Sequence, residues 1–205
     1  MEHRTNRERA CERAAEIAAE ELARADMAQR CAVLGLAPPC PDGTVSLEVF
    51  GRVIVLRPPG FTARDAESGE PARPVDRVLA LHYLLNRAPV RETGELMSFR
   101  ELPGGAFYLG PFLARTAAPL VKSIGNDIAV LRKRLDRFRW SEAALGDLGA
   151  RIQGVGALYL VLAYRTGDAE FPPSAEVYFD ATIKKALSTE DAAAMATRIC
   201  LGLAR

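Results

Sequence analysis

The stretch 148–180, LGARIQGVGALYLVLAYRTGDAEFPPSAEVYFD, determines the fold class. It predicts three strands, at residues 148–153, 157–164 and 175–179, because apolar and aromatic runs alternate with Gly, Pro and Asp. Residues 155–164 form the longest apolar run, about half the ~20 residues of a membrane-spanning helix, so we expect a buried strand. A turn at residues 165–168 follows the second strand, which makes the segment an antiparallel meander.

The segment after this meander predicts a closing helix. Ser188 and Asp191 have the spacing of a helix-capping pair. The residues behind them that share one apolar helical stripe are Ala192, Met195, Ile199 and Leu203. The meander therefore has a helix with which to share a core.

Upstream, residues 45–56 predict a tight hairpin. Val45, Leu47 and Val49 alternate with polar residues, which is the period of a half-buried strand. The chain then turns at residues 50–52 into a second strand, 53–56. Residues 57–74 contain four prolines and two glycines, which favours a surface loop.

Helices are predicted on both sides of this hairpin. Residues 5–34 predict one long helix that begins with a capping box at Thr5 and Glu8, because no Gly or Pro interrupts it. Its Ala-rich stripe buries little area, so we expect it to lie across the domain rather than at the centre. Residues 75–86 predict the core helix, since apolar side chains cover most of its circumference.

The centre of the chain predicts a structured loop and two further helices. Residues 97–112 show no sustained period, whereas 112–124 and 127–138 are typical of helices, the second with Asn126 as its cap. The predicted fold is α+β, a single domain with a long N-terminal helix, an N-terminal hairpin, central helices and a C-terminal antiparallel meander closed by a helix. Residues 1–40 are expected to be the N-terminal helix and linker, and 41–205 the α+β domain.

Composition excludes several classes of protein. The chain has 205 residues, 49% of them hydrophobic, and balances 27 Lys and Arg against 26 Asp and Glu. This balance provides no field that would attract nucleic acid or a membrane surface, and the charged N-terminus is unlike an export signal. We therefore expect a soluble cytoplasmic protein. The four cysteines, Cys11, Cys31, Cys40 and Cys200, are predicted to be reduced thiols, with a Cys31–Cys40 redox pair as the alternative.

Several short motifs occur in a consistent order between residues 45 and 200. They are Leu81-His82-Tyr83-Leu84, Ser98-Phe99-Arg100-Glu101-Leu102-Pro103, Phe107-Tyr108, Pro119-Leu120, Gly167-Asp168, Phe171-Pro172-Pro173, Phe179-Asp180 and Glu190-Asp191. Together these motifs resemble an uncharacterised domain family of anaerobic bacteria and archaea. Some members carry the domain behind a four-cysteine iron–sulfur segment similar to that of corrinoid proteins, which implies a redox, metal or corrinoid context. This chain lacks closely spaced cysteines, so cluster binding does not carry over.

The segment 98–112 is the leading candidate for a binding site. Arg100 offers a planar fork for a carboxylate or phosphate, and Gly104 and Gly105 allow backbone amides to approach a ligand. The side chains expected to line the site are His82, Phe99, Phe107, Tyr108 and Phe112. The leading hypothesis is an accessory binding protein for an anionic small molecule or cofactor, such as a corrinoid or other tetrapyrrole, in anaerobic metabolism. The structural alternative is that Arg100 and Glu101 tie the loop to the sheet and the aromatics are ordinary core.

Two other functions remain open. In the first, Glu101, Asp168 or Asp180 serves as the acid or base of an enzyme, although Asp168 and Asp180 also fit turn and strand-end roles. In the second, the first helix and the basic run 132–139 dock partner proteins. The sequence predicts no metal site and leaves the cofactor, the catalytic residues and the oligomeric state unassigned.

Overall fold

The computed structural model of the protein describes residues 6–205. Thr5, with which the expected capping box begins, lies outside these residues. Contacts divide the chain after Val90 into two units, 1–90 and 91–205. Helices and antiparallel sheets together confirm the α+β class.

The first unit contains three helices and three strands among its described residues. They are α1 Asn6–Leu22, α2 Met27–Leu34, β1 Val45–Val49, β2 Arg52–Arg57, β3 Thr62–Asp65 and α3 Pro74–Leu84. The helix α3 matches the core helix predicted at residues 75–86. Its buried face includes Leu79, Leu81 and Leu84, and α1 packs against it.

The single long helix predicted at residues 5–34 is wrong. The helix α1 ends at Leu22, and Asp26 begins α2 by accepting a hydrogen bond of 3.0 Å from the backbone N–H of Gln29. An aspartate N-cap can start a new helix without Gly or Pro, so the break lacks the usual chain-breaking residues.

The first sheet has the strand order β1-β2-β3 with antiparallel pairing throughout. The predicted hairpin is confirmed, with Phe50 and Gly51 at positive φ angles of 53° and 77° in its two-residue turn. The loop predicted at residues 57–74 is wrong in part, because β3 lies within it. The prolines flank β3 rather than interrupt it, and the preceding Phe61 is buried.

The second unit begins with a short strand and ends with a long helix. Its elements are β4 Leu96–Ser98, a 3₁₀ helix Phe99–Glu101, α4 Gly105–Arg115, α5 Ala117–Ile124, α6 Ile128–Leu135, β5 Trp140–Ala143, β6 Leu148–Gln153, β7 Tyr159–Arg165, β8 Ser174–Asp180, α7 Ile183–Ala186 and α8 Thr189–Leu203.

The second sheet has the order β4-β8-β7-β6-β5, and every pair is antiparallel. The predicted meander is confirmed as β6, β7 and β8, with strand bounds within two residues of those expected. The central strand β7 is buried from Leu160 to Tyr164, as expected for the longest apolar run. The edge strands β4 and β5 are short, and the sequence analysis did not predict them.

The structured loop expected at residues 97–112 is wrong, since it contains β4, the 3₁₀ helix and the first eight residues of α4. The predicted helix 112–124 is also corrected. It is divided at Thr116, whose hydroxyl donates 2.8 Å to the carbonyl of Phe112. The helix α6 is capped by Asp127 rather than by Asn126.

The closing helix α8 is confirmed with its cap. The hydroxyl of Ser188 accepts 3.0 Å from the backbone N–H of Asp191 and donates 2.7 Å to its carboxylate. The predicted apolar stripe of α8 is buried, and α4, α5 and α6 pack against this helix. Over residues 6–205, no helix has the length and apolar character needed to cross a bilayer.

Candidate functional site

The first turn of α4 exposes two aromatic side chains. Phe107 is 90% exposed and Tyr108 is 63% exposed. Pro111, Leu113 and neighbouring small residues on this helix are exposed as well. Phe is among the residue types most often buried, so an adjacent group of exposed apolar side chains is characteristic of an interaction site.

Arg100 lies in the 3₁₀ helix, which packs against α4. Its side chain is exposed, and it forms no hydrogen bond or ion pair with any residue from 6 to 205. A guanidinium group carries five N–H donors in a planar fork and is always charged. Arg100, Phe107, Tyr108 and Pro111 are called the α4 surface below.

Glu101 is occupied by a local contact. Its carboxylate accepts hydrogen bonds from the backbone N–H of Ser98, at 2.6 Å, and from the Ser98 hydroxyl, at 2.8 Å. Both hydrogen bonds lower the pKa of Glu101, and the one from the Ser98 backbone has the larger effect. This reciprocal capping box fixes the start of the 3₁₀ helix and holds Glu101 in its ionised form.

The two glycines at the start of α4 have structural roles. Gly104 has a φ of +71°, a left-handed conformation that other residues adopt only with strain. Gly105 is buried, and a Cβ atom at that position would overlap the carbonyl oxygen of Phe99. The space at Gly105 that was expected to admit a ligand is therefore filled by the backbone carbonyl of Phe99.

The aromatic residues of the segment separate into two groups. Phe99 and Phe112 are buried, and their rings stack at a centroid distance of 3.9 Å and an interplanar angle of 1°. Phe112 also contacts Phe179 of β8, with centroids 6.5 Å apart. Phe99 and Phe112 are therefore core residues, whereas Phe107 and Tyr108 point away from the core.

Asp180 is a buried carboxylate at the end of β8. It accepts hydrogen bonds from the backbone N–H groups of Thr93, Gly94 and Thr182, at 2.8–3.0 Å, and from the Thr93 hydroxyl. Burial alone would raise the pKa of Asp180, but these hydrogen bonds outweigh it, so the pKa is lowered. The predicted strand-end role of Asp180 is confirmed.

Asp168 lies at the other end of β8, in the connection that precedes this strand. It accepts hydrogen bonds of 2.8 Å from the backbone N–H groups of Glu170 and Phe171, which lower its pKa. Its expected role in a turn is confirmed. A seven-residue strand is about 20 Å long, so β8 keeps Asp168 and Asp180 far apart.

His82 belongs to the first unit, in the last turn of α3, and is half-buried between the buried residues Leu81 and Tyr83. The other predicted site residues belong to the second unit. Those that the structure brings together are Phe99, Arg100, Glu101, Gly104, Gly105, Phe107 and Tyr108.

The remaining sequence candidates are engaged elsewhere. In the basic run, Arg132 pairs with Glu142 at 2.6 Å and lies over the Trp140 ring, and Arg134 donates to the carbonyl of Leu203. No disulfide joins the four cysteines, all of which lie within residues 6–205; Cys31 is buried and Cys40 exposed. The part of the chain that the structure describes contains no group of three His, Cys, Asp or Glu side chains suited to a metal.

Pro111 and Leu113 were missed by the sequence analysis. The signal for Pro111 is the helical spacing of Phe107, Pro111 and Ala114, whereas Leu113 lies about 120° around α4 from Phe107 and belongs to another side of the helix. This period was obscured by Gly104, Gly105, Gly110 and Pro111, because glycine and proline disfavour helices and are typical of loops.

Comparison with known families identifies most of the chain. A family described as a domain of unknown function (DUF3786) matches residues 7–201. This agrees with the uncharacterised domain expected from the motifs, and it carries no statement about taxonomy or iron–sulfur segments. No curated protein and no solved structure matches the chain.

Proposed function

The chain belongs to the DUF3786 family of domains of unknown function, and from this premise we propose that it is a non-catalytic binding protein. Its ligand is an anionic small molecule or cofactor with a flat apolar body, bound at the α4 surface. Arg100 pairs with the acid group, and Phe107 and Tyr108 contact the apolar body. The setting suggested by the resemblance is anaerobic metabolism, with a corrinoid or other tetrapyrrole as the cofactor.

The observation that carries the proposal is the combination of exposed aromatics with an unoccupied cation. Phe107 and Tyr108 are 90% and 63% exposed, and Arg100 has no partner from residue 6 onward. Exposing this much apolar area is unfavourable by about 25 cal/mol per Å², which a ligand that covers it would recover. Aromatic side chains stack on other flat rings in offset or edge-to-face arrangements, so a ligand with a flat ring system can contact Phe107 and Tyr108 in this way.

Acid–base catalysis has less support than binding. Glu101, Asp168 and Asp180 each accept at least two hydrogen bonds from neighbouring groups, and each has a lowered pKa. A general acid or base works best with a pKa near the operating pH, which for a carboxyl group requires a raised value. These three carboxylates are therefore better suited to holding turns and strand ends than to proton transfer.

The interaction-module alternative also has less support than binding at the α4 surface. That hypothesis used the first helix and the basic run 132–139. The inner face of α1, with Ala15, Ala18 and Leu22, is buried, and α1 packs against α3. The arginines Arg132 and Arg134 of α6 have internal partners. Among the described side chains, α1 exposes one large apolar residue, Ile17, and α6 exposes none, whereas α4 exposes Phe107, Tyr108 and Leu113.

Titration with haemin, an anionic tetrapyrrole with two carboxylates, tests the proposal. We expect a saturable change in the haem absorbance band with the full chain. Phe107→Ala and Arg100→Ala should each weaken binding about tenfold, as expected for loss of a stacking contact or a charged hydrogen bond. Cobalamin, a corrinoid with amide side chains, is titrated in parallel. Binding of haemin without binding of cobalamin would show that the protein requires the acid groups of its ligand.

Two variants serve as matched controls. Phe171 is another exposed aromatic, 68% exposed, in the connection before β8, and Lys133 is an exposed cation on α6. Phe171→Ala and Lys133→Ala should bind haemin like the unchanged chain. If haemin and cobalamin both leave the absorbance unchanged, the tetrapyrrole assignment is wrong. If the controls weaken binding as much as Phe107→Ala, the ligand does not bind at the α4 surface.

A further inference from the structure

A separate cleft lies within the first unit. It has a volume of about 330 Å³ and is lined by Ala25, Asp26, Gln29, Arg30, Val33 and Arg87. The turn between α1 and α2 and one side of α2 form one wall, and Arg87, which follows α3, contributes the other. Small-molecule sites begin at about 300 Å³, so the cleft has room for a small ligand.

Arg30 is held in a fixed orientation in this cleft. Its Nη1 atom donates to the carbonyl oxygens of Leu85, at 2.7 Å, and Asn86, at 2.9 Å. Both carbonyls lie where α3 ends, so they attract the cation as well as accept its hydrogen bonds. The Nε and Nη2 groups have no partner within residues 6–205. These two groups form the edge of a guanidinium that binds a carboxylate with two parallel hydrogen bonds.

Arg87 provides a second cation. Its only hydrogen bond to a described residue joins its Nη2 atom to the Glu21 carboxylate at 3.2 Å, and both side chains are largely exposed. Exposed ion pairs of this kind contribute little stability, so Arg87 can exchange Glu21 for a bound anion at little cost. Two guanidinium groups therefore line one cleft, and the carboxylate among its lining residues, that of Asp26, is exposed.

The other lining residues narrow the chemistry of the ligand. Asp26 is already engaged with the N-terminus of α2, where its carboxylate accepts from Gln29, and its charge disfavours a multiply charged anion. Ala25 and Val33 offer an apolar contact of a few carbon atoms. We propose that the cleft binds a small organic monocarboxylate, with Arg30 and Arg87 on the carboxylate and the short aliphatic body against Val33.

This inference does not rest on the proposed function, because it concerns different residues and a different ligand. Its test is an NMR titration of the full chain, labelled with ¹⁵N-arginine, with sodium butyrate at constant ionic strength. We expect a saturable shift of the Arg30 Nε–H signal. Arg87→Ala should weaken butyrate binding about tenfold, as expected for loss of a charged hydrogen-bonding partner.

Two further variants make the titration decisive. Arg30→Lys assigns the Arg30 signal, because that signal disappears in the variant. The lysine retains a cation at the end of α3 but lacks the paired Nε and Nη2 donors, so butyrate binding should be lost. Arg24→Ala removes an exposed arginine near the cleft that does not line it, and should leave binding unchanged. Non-saturating shifts, or equal weakening by Arg24→Ala, would overturn the site. Tighter binding of inorganic phosphate than of butyrate would overturn its assignment to carboxylates.

Discussion

At the residue scale, Asp180 shows how one buried carboxylate organises a segment of the second unit. The residue is 6% exposed, and its carboxylate accepts hydrogen bonds from three backbone N–H groups and one hydroxyl. Two of these N–H groups belong to Thr93 and Gly94, which precede β4, and the third belongs to Thr182, which precedes α7. Asp180 thus ties the start of the edge strand to the end of β8.

We expect Asp180→Asn to lower the free energy of unfolding by about 2–3 kcal/mol at pH 7, because an amide NH₂ group cannot accept hydrogen bonds from the backbone. The pKa of Asp180 is lower in the folded state, so its contribution is fully present above the unfolded pKa of about 4. As the pH falls through the folded pKa, the contribution is lost. Urea unfolding at pH 7, 5 and 3 measures the difference.

The difference between the unchanged chain and Asp180→Asn should be similar at pH 7 and 5 and smaller at pH 3. Asp168→Asn is the matched control, because Asp168 also accepts backbone hydrogen bonds but is exposed. Its effect should be much smaller. A pH-independent difference for Asp180→Asn would show that the lost stability comes from shape rather than charge.

At the element scale, α4 shows why part of the fold could not be predicted. Gly104-Gly105, Gly110 and Pro111 are all unfavourable in helices, so local preference indicated a loop. The helix forms nevertheless because it is packed, with Gly105 against Phe99 and with α5 and α8 as neighbours. By contrast, β6, β7, β8 and α8 were predicted well, since alternation, turn residues and a capping pair all agree there.

The candidate site was predictable to a similar extent. The sequence identified the segment that contains Arg100, Phe107 and Tyr108, but it could not separate these from Phe99. Exposure depends on which side of α4 faces the core, and the helix itself was not predicted. The cleft at Arg30 and Arg87 was missed because its two arginines are distant in sequence and meet only through the packing of helices.

Gly105→Ala tests the junction between the 3₁₀ helix and α4. A methyl group at Gly105 has to displace the Phe99 carbonyl, so we expect a loss of about 1–3 kcal/mol in the free energy of unfolding, as in overpacked cores. Gly110→Ala is the matched control on the same helix. Beyond its chain neighbours and the backbone of its own helix, no atom lies within 4 Å of the Cβ position at Gly110. The gain in helix preference is offset by the ring of Pro111, which crowds the Cβ of the residue before it, so this change should be close to neutral.

Thermal and urea unfolding of both variants measure these effects. A clear loss of stability is expected for Gly105→Ala and little change for Gly110→Ala. If Gly105→Ala is neutral, the backbone at Phe99 relaxes easily and the junction is not closely packed. If Gly110→Ala is as destabilising as Gly105→Ala, helix preference rather than the local contact at Phe99 controls the stability of α4.

At the scale of the whole molecule, two possible boundaries differ in their physical consequences. The sequence suggested a boundary near residue 40, whereas contacts divide the chain after Val90. A cut at residue 40 separates α1 and α2 from α3. It removes the buried side chains Ala15, Ala18 and Leu22 from the face of α3 on which α1 packs. A cut at residue 90 leaves the second sheet with all five strands and the five helices from α4 to α8.

We therefore expect residues 91–205 to fold when expressed alone, and residues 41–205 to be less stable and prone to aggregate. The reason is that the longer fragment exposes the apolar face of α3, whereas the shorter fragment retains the core formed by its sheet and its helices. Dispersion of amide signals in ¹H–¹⁵N spectra and elution volume in size-exclusion chromatography measure the outcome, with the full chain as the reference. A well-dispersed, monomeric 41–205 fragment beside an unfolded 91–205 fragment would place the boundary near residue 40, because the hairpin and α3 would then be needed to complete the core of the remaining chain.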